Sequence, residues 1–391
     1  MIDAALSADT QATALLVGHF GEGTAKPLTR TDFNKVAQSL HQRGLRPSDL
    51  FRQVPSDLPV DGTRISGLIA RGTALALAVE SWGRVGIRVV SRGDADYPAR
   101  FRALLKGAST PILYHAGSLA LLERPTVSVV GSRDATEAGL RFARRIGEQA
   151  ASEQIVTVSG DARGVDRSAM EAALEAGGAV VGILADGLAK SVLSKRYRQA
   201  LEGGRLLLIS HVEPSARFTV AQAMERNRYL YAAADIAIVA DSDIKGGTWN
   251  GAIENRKHGW APAYVRTGAD AREGNLVLVR EGLREIGDGW FDEQRPLASL
   301  RIDATEPPAA LPLFSASSTT PTTTQTAIPT PALFTLFLDL VASLLRAPLS
   351  SAQIADQLGL EPVQAEAWLQ QALARGTVTR GADDLWIRPK A

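Results

Sequence analysis

Two short loops carry the residue types that a phosphate grip needs. Gly131-Ser132-Arg133 follows the apolar run Val127 to Val130 and precedes an amphipathic stretch from Glu137 to Glu153. A glycine there admits close backbone approach, a hydroxyl and a guanidinium fork can donate, and the start of a helix favours anions. Ser159-Gly160-Asp161-Ala162-Arg163-Gly164-Val165-Asp166 repeats the design one strand later. Adjacent loops of a parallel sheet open onto one crevice, so Arg133 and Arg163 are expected to face the same anion. Asp166 reads either as part of that site or as a first-turn carboxylate on a helix dipole.

Two further segments are expected at the same sheet edge: Glu225-Arg226-Asn227-Arg228, and Lys245 followed by Gly246-Gly247-Thr248. Between Lys190 and Arg228, a span that includes Lys195 and Arg196, eight Lys or Arg face three Glu. Charge runs of this kind are commonly solvated faces, but this one adjoins glycine loops, which favours a polyanion. The chain as a whole gives no such signal, since 43 basic against 42 acidic residues leave a net charge of +1. Any polyanion site must therefore be local.

The elements that hold these loops follow from pattern. The chain has 391 residues, 45% apolar and 22% charged, which fits two or three globular domains. Residues 1–85 show helical spacing, as at Phe33, Val36 and Leu40. From residue 86 to about 300, buried runs at Val127 to Val130, Ile155 to Ser159, Ala179 to Leu184, Leu206 to Ile209, Ile236 to Val239 and Ala263 to Val265 alternate with helices. That rhythm predicts an α/β fold with a Rossmann-like, doubly wound, mostly parallel sheet. Residues 301–332 are rich in Ser, Thr and Pro and read as a linker. Residues 333–391 read as three helices and a hairpin, a winged-helix pattern, with five basic and six acidic residues, which favours protein contact or autoregulation over groove binding.

There is no cysteine, which removes disulfides and thiolate chemistry and fits a reducing cytoplasm. Five histidines without paired ligand spacing give no reason to expect a metal, and no cofactor is expected. The first ten residues lack a basic segment followed by an apolar run, and no uninterrupted apolar stretch is long enough to span a bilayer. A cytoplasmic protein without membrane contact is expected.

Several of these segments carry a resemblance. VSVVGSR from Val127, VSGDARGVD from Val158, the spacing of Ala172, Leu174, Gly177 and Gly178, and Arg226-Asn227-Arg228 look like the core of the DNA-processing protein A (DprA, Smf) family. So do Asp96-Tyr97-Pro98 and Pro111-Ile112-Leu113-Tyr114, and the resemblance covers residues 86 to 270. It implies a Rossmann-like protein that binds single-stranded DNA, hands it to the recombinase RecA in natural transformation or recombination, and forms homodimers through the Rossmann-like domain. By position it implies DNA contacts at Gly131, Ser132, Arg133, Ser159, Gly160, Arg163, Gly164 and a turn at Arg226-Asn227-Arg228, with Asp166 as a motif residue.

The chain departs from that pattern at Asp161, where an apolar residue is usual and whose charge is expected to blunt Arg163. It departs again after Asp186-Gly187, which lacks the usual Tyr-Pro, and at Lys245 to Glu254, which replaces a Ser-Gly-Ser segment. Gly-Gly, Thr and then Glu254 also resemble the phosphate loop of lysine-decarboxylase-like nucleoside monophosphate phosphoribohydrolases. Catalysis of that kind needs a carboxylate near the ribose, and Trp249 and Asn250 stand where that motif places small and acidic residues. A binder of single strands is therefore preferred to an enzyme, with a nucleotide sensor as a further reading of the same pocket.

Overall fold

The computed structural model describes residues 6–20, 25–303, 337–338, 341, 344–345, 348–358, 362–381 and 385–387. They belong to two compact units, Met1–Ala310 and Leu311–Ala391. The first is built on nine strands: β1 (Arg88–Ser91), β2 (Ile112–Ala116), β3 (Thr126–Gly131), β4 (Val156–Ser159), β5 (Val180–Leu184), β6 (Leu206–Ser210), β7 (Ile236–Asp241), β8 (Ala263–Thr267) and β9 (Arg284–Gly287). In space they lie in the order β1-β2-β6-β5-β4-β3-β7-β8-β9. β3 to β9 are parallel, while β2 pairs antiparallel with both β1 and β6. The expected mostly parallel α/β sheet is present.

Its helices are α1 (Ala8–Val17), α2 (Arg30–Gln42), α3 (Gly62–Ile69), α4 (Gly72–Arg84), α5 (Ala99–Leu105), α6 (Glu137–Ser152), α7 (Val165–Glu175), α8 (Ala189–Val192), α9 (Lys195–Glu202), α10 (Val220–Ala232), α11 (Gly247–His258), α12 (Glu273–Arg280) and α13 (Ser299–Asp303). The central strands are buried on both faces, which is why they read as continuous apolar runs. One core layer joins Val127, Val129, Phe142, Ile146, Ile236 and Ile238, and another joins Val158, Val181, Ile209, Tyr229 and Val239. β9 was not anticipated, because Ile286 is the one apolar residue of Arg284–Gly287 and gives no run to detect.

The path of the chain decides where a ligand can enter. From β3 to β6 it builds the sheet in one direction, then returns to lay β7 on the other side of β3. The helices that follow β3 and β7 therefore diverge, and the crevice of such sheets lies at this reversal, at the carboxyl ends of the strands. Gly131-Ser132-Arg133 and the segment from Asp241 to Thr248 are the two loops that leave it.

α1 to α3 keep an apolar core of their own, including Leu16, Phe33, Val36, Leu40, Ile65 and Leu68, while Trp82 of α4 packs with the sheet. They belong to the same compact unit as the sheet. Trp82 meets Tyr114 edge to face at 5.2 Å, Asn34 Nδ2 donates to the Gly107 carbonyl at 2.8 Å, and Arg30 pairs with Glu225 of α10. The second unit has α14 (Ser351–Leu358), α15 (Pro362–Ala374) and an antiparallel pairing of Thr379–Arg380 with Trp386–Ile387. Of the expected linker, everything from residue 304 lies outside the described residues, as do most of residues 333–346, where the first of the three expected C-terminal helices falls. No helix among the described residues is long and apolar enough to cross a membrane.

His211, directly after β6, has a side chain only 6% exposed and stacks on Tyr229 at 5.9 Å. Burial first, then Arg226, Arg30 and Arg228, pushes its pKa down from 6.5 to about 4. The unfolded imidazole takes up a proton near pH 6.5 and the folded one only near pH 4, so stability falls as pH drops through that window. Urea midpoints of the wild type are expected to fall more steeply across it than those of His211→Phe. Parallel slopes would show that the imidazole does not carry this dependence.

Candidate nucleic-acid interface

At the reversal between β3 and β7 lies a cavity of about 290 Å³. Gly131, Ser132 and Arg133 line it from the β3 loop, Lys245, Gly246, Gly247 and Thr248 from the start of α11, Asp166 from α7, and Arg226 and Asn227 from α10. These ten of the residues singled out in the sequence are brought together. Ser159, Gly160, Arg163, Gly164, Lys195, Arg196 and Arg228 are not among the lining residues.

Burial or pairing gives most of those seven other surroundings, while Lys195 is exposed at the start of α9. Ser159 is fully buried and its hydroxyl donates to the Val129 carbonyl at 2.5 Å. Gly164 caps α7. Arg163, exposed, pairs with Asp134 rather than joining Arg133. The crevice thus lies chiefly between the β3 and β7 loops, and the β4 loop reaches it through Ala162 and Asp166 rather than through Arg163. Arg196 lies 3.3 Å from Glu171 and 3.7 Å from Asp161, Arg228 lies 3.6 Å from Glu254, and Arg205 donates to the carbonyls of Leu174 and Gly178. Much of the basic run is therefore already engaged within the protein.

The Asp161 carboxylate is engaged elsewhere than at Arg163. Its carboxylate accepts from the Tyr197 hydroxyl at 2.5 Å and from Arg167 Nε at 3.3 Å. Arg226-Asn227-Arg228 is not a turn but the middle of α10, since no glycine or proline interrupts Val220 to Ala232. On a helix the three side chains diverge. Arg226 turns inward to Asp166, Asn227 Nδ2 donates to the Gly247 carbonyl at 2.9 Å, and Arg228 turns to Glu254.

The floor of the cavity is a buried ion pair. Arg226 Nη1 lies 3.4 Å from Asp166 Oδ2, and each residue is 4% exposed. Burial pushes the Asp166 carboxyl up, while Arg226 and the backbone N–H groups of Gly131 and Gly160 pull it back. One carboxylate therefore ties the β3 loop, the β4 loop, α7 and α10 together. Gly160 is required by this pair, because a Cβ there would sit 1.2 Å from Arg226 Nη1. The glycine signal was legible, but its partner is a guanidinium of the protein.

The rim is arranged differently. Arg133 lies over the Phe218 ring with its guanidinium carbon 4.8 Å from the centroid, and it has no carboxylate partner among the described residues. Phe218 is 43% exposed and Val220 72% exposed beside it. Opposite stands the first turn of α11, capped by Gly246 with no side chain bound to it, so its leading N–H groups are available to an anion. Sequence reasoning passed over Phe218, Val220, Met224 and Tyr231, all of which line the cavity. Arg217-Phe218-Thr219, an aromatic beside a base in a polar segment, was the available signal.

A profile of the DNA recombination-mediator protein A family matches residues 88–285, just over half of the chain. The chain belongs to that family. Among curated proteins, the DNA processing protein DprA of Streptococcus pneumoniae is 29% identical over 185 residues, covering 46% of this chain and 64% of that protein. A putative DNA processing protein DprA of Mycobacterium tuberculosis is 28% identical over 251 residues, covering 56% of this chain and 63% of the other. The chain thus spans a little under two thirds of the length of these relatives. The X-ray structure of the Streptococcus pneumoniae protein superposes with a TM-score of 0.56 at 19% identity, over 72% of this chain and 95% of that one, which establishes the shared fold.

Asp166→Ala is expected to destabilise the chain by about 3–5 kcal/mol, because it leaves Arg226 charged, buried and unpaired. Urea denaturation measures this. A loss below about 1 kcal/mol would mean that the pair does not hold the loops.

Proposed function

We propose that the chain binds single-stranded DNA at the cavity between β3 and β7 and passes it to a recombinase of the RecA type. The observation that carries this reading is the rim, where the uncommitted Arg133 stacks on the exposed Phe218 and faces the free N-terminus of α11. Arg133, Lys245 and the α11 N–H groups suit phosphates, and Phe218 and Val220 offer an apolar face to a base. A base inside a duplex has no free face to stack, so the platform favours single strands. Membership of a recombination-mediator family supports delivery to a recombinase.

In this reading Gly131, Ser132, Arg133, Asn227, Lys245, Gly246, Gly247 and Thr248 contact the strand. Ser159, Gly160, Gly164, Asp166 and Arg226 position them from beneath, and Arg163, Lys195, Arg196 and Arg228 contribute long-range field. A homodimer through the Rossmann-like domain would place two such rims along one strand. Hydrolysis of nucleoside monophosphates has less support, because Glu254 is not among the lining residues and lies by Arg228.

Fluorescence anisotropy with a labelled oligonucleotide at two salt concentrations tests the reading. Single strands are expected to bind more tightly than duplex, with affinity falling steeply as salt rises. Arg133→Ala and Phe218→Ala are each expected to cost about 1–3 kcal/mol of binding while leaving the melting temperature close to wild type. Wild-type affinity in both variants would remove the rim from the site.

A further inference from the structure

A clasp joins the two loops of the cavity from behind. Arg272, in the segment between β8 and α12, is not among the lining residues, yet its guanidinium reaches both loops that are. On the β7 side, Asp241 Oδ1 lies 3.0 Å from Arg272 Nε, and Asp243 Oδ1 accepts from Nη1 at 2.6 Å. On the β3 side, the Asp134 carbonyl accepts from Nη2. Asp241 extends the contact, because its side chain is fully buried and its other oxygen accepts from the Thr136 N–H at 3.0 Å and the Thr136 hydroxyl at 2.8 Å. Thr136 is in turn the N-cap of α6.

The clasp has a fixed base. Asn275 is fully buried, its Oδ1 accepts from the Ser242 N–H at 2.7 Å, and its Nδ2 donates to the Arg266 carbonyl at 2.8 Å. A Cβ on Gly274 would sit 2.1 Å from the Ser242 carbonyl oxygen, so α12 begins this close to the end of β7 only because glycine stands there. Arg272 therefore leaves from a point already tied to the β7 loop. Its planar fork of N–H donors can serve three acceptors on two loops at once, whereas an ammonium is a single point of charge.

We propose that Arg272 is a positioning residue for the bound strand: without touching DNA, it holds Arg133 and the N-terminus of α11 at the separation that the strand spans. This rests on the DNA reading above. The residues it grips adjoin the proposed contacts, since Asp134 directly follows Arg133 and Asp243 stands two residues before Lys245. Slack in either loop removes order that exists before binding, so affinity falls while the number of phosphates contacted stays the same.

Arg272→Lys tests this, because it keeps a cation beside the buried Asp241 and so protects the fold, but cannot span the three acceptors. In anisotropy with a labelled single strand it is expected to bind about tenfold more weakly than wild type, with an unchanged slope of log affinity against log salt. Arg133→Ala, which removes a phosphate contact, is expected to lower that slope by about 0.7. Hydrogen exchange of the strand-free chain is expected to be faster in Arg272→Lys than in wild type at residues 131–136 and 241–247. The proposal fails if Arg272→Lys binds as wild type, which would reduce Arg272 to a charge, if its slope falls as in Arg133→Ala, which would place it on the strand, or if exchange at both loops is unchanged. Were the wild type to bind no single strand, the DNA reading would fall, and the exchange comparison, made without DNA, would still decide whether Arg272 holds the loops.

Discussion

The arrangement of the candidate interface depends on one buried ion pair. Asp166 and Arg226 meet beneath the cavity, out of water, and the carboxylate also faces the backbone N–H groups of Gly131 and Gly160. An isolated charge in that position would be strongly unfavourable, so each partner fixes the other. The pair thereby sets the height of the β3 and β4 loops against α7 and α10. It also commits α10 to an orientation in which Asn227 reaches the first turn of α11. Arg226, which the sequence presents as one more cation for a phosphate, is consumed in holding the frame.

With that frame fixed, the reversal of strand order explains why chemistry gathers at one place. The helices that follow β3 and β7 leave in opposite senses, so the loops between them separate and leave a gap that side chains only partly fill. An anion entering it meets backbone N–H groups of α11 and a guanidinium already oriented by an aromatic ring. Orientation before binding matters because an ordered side chain loses less entropy when the ligand arrives.

How much of this was legible follows from the range of each signal. Buried parallel strands are continuous apolar runs, and helices between them are periodic, so β3 to β8 could be read directly. β9 could not, because its burial comes from position in the sheet and not from its own composition. The ends of β3 and β4 announced themselves by glycine, but glycine does not say what comes close. At Gly160 it is Arg226, more than sixty residues away. Likewise the pairing of Arg163 with Asp134, and of Asp161 with Tyr197, depends on tertiary neighbours that spacing does not reveal. Phe218 was missed because an aromatic flanked by polar residues looks like ordinary surface until its neighbours are known.

The claim at the centre of this account is that a single strand crosses the rim formed by Arg133 and Phe218. Photo-crosslinking with an iodouracil-substituted oligonucleotide, followed by peptide mapping, tests it directly, since the base must lie against the residue it marks. The account predicts a dominant crosslink at Phe218. Crosslinks confined to Lys195–Glu202, the exposed basic helix α9, would contradict it and place the strand on a charged face away from the cavity.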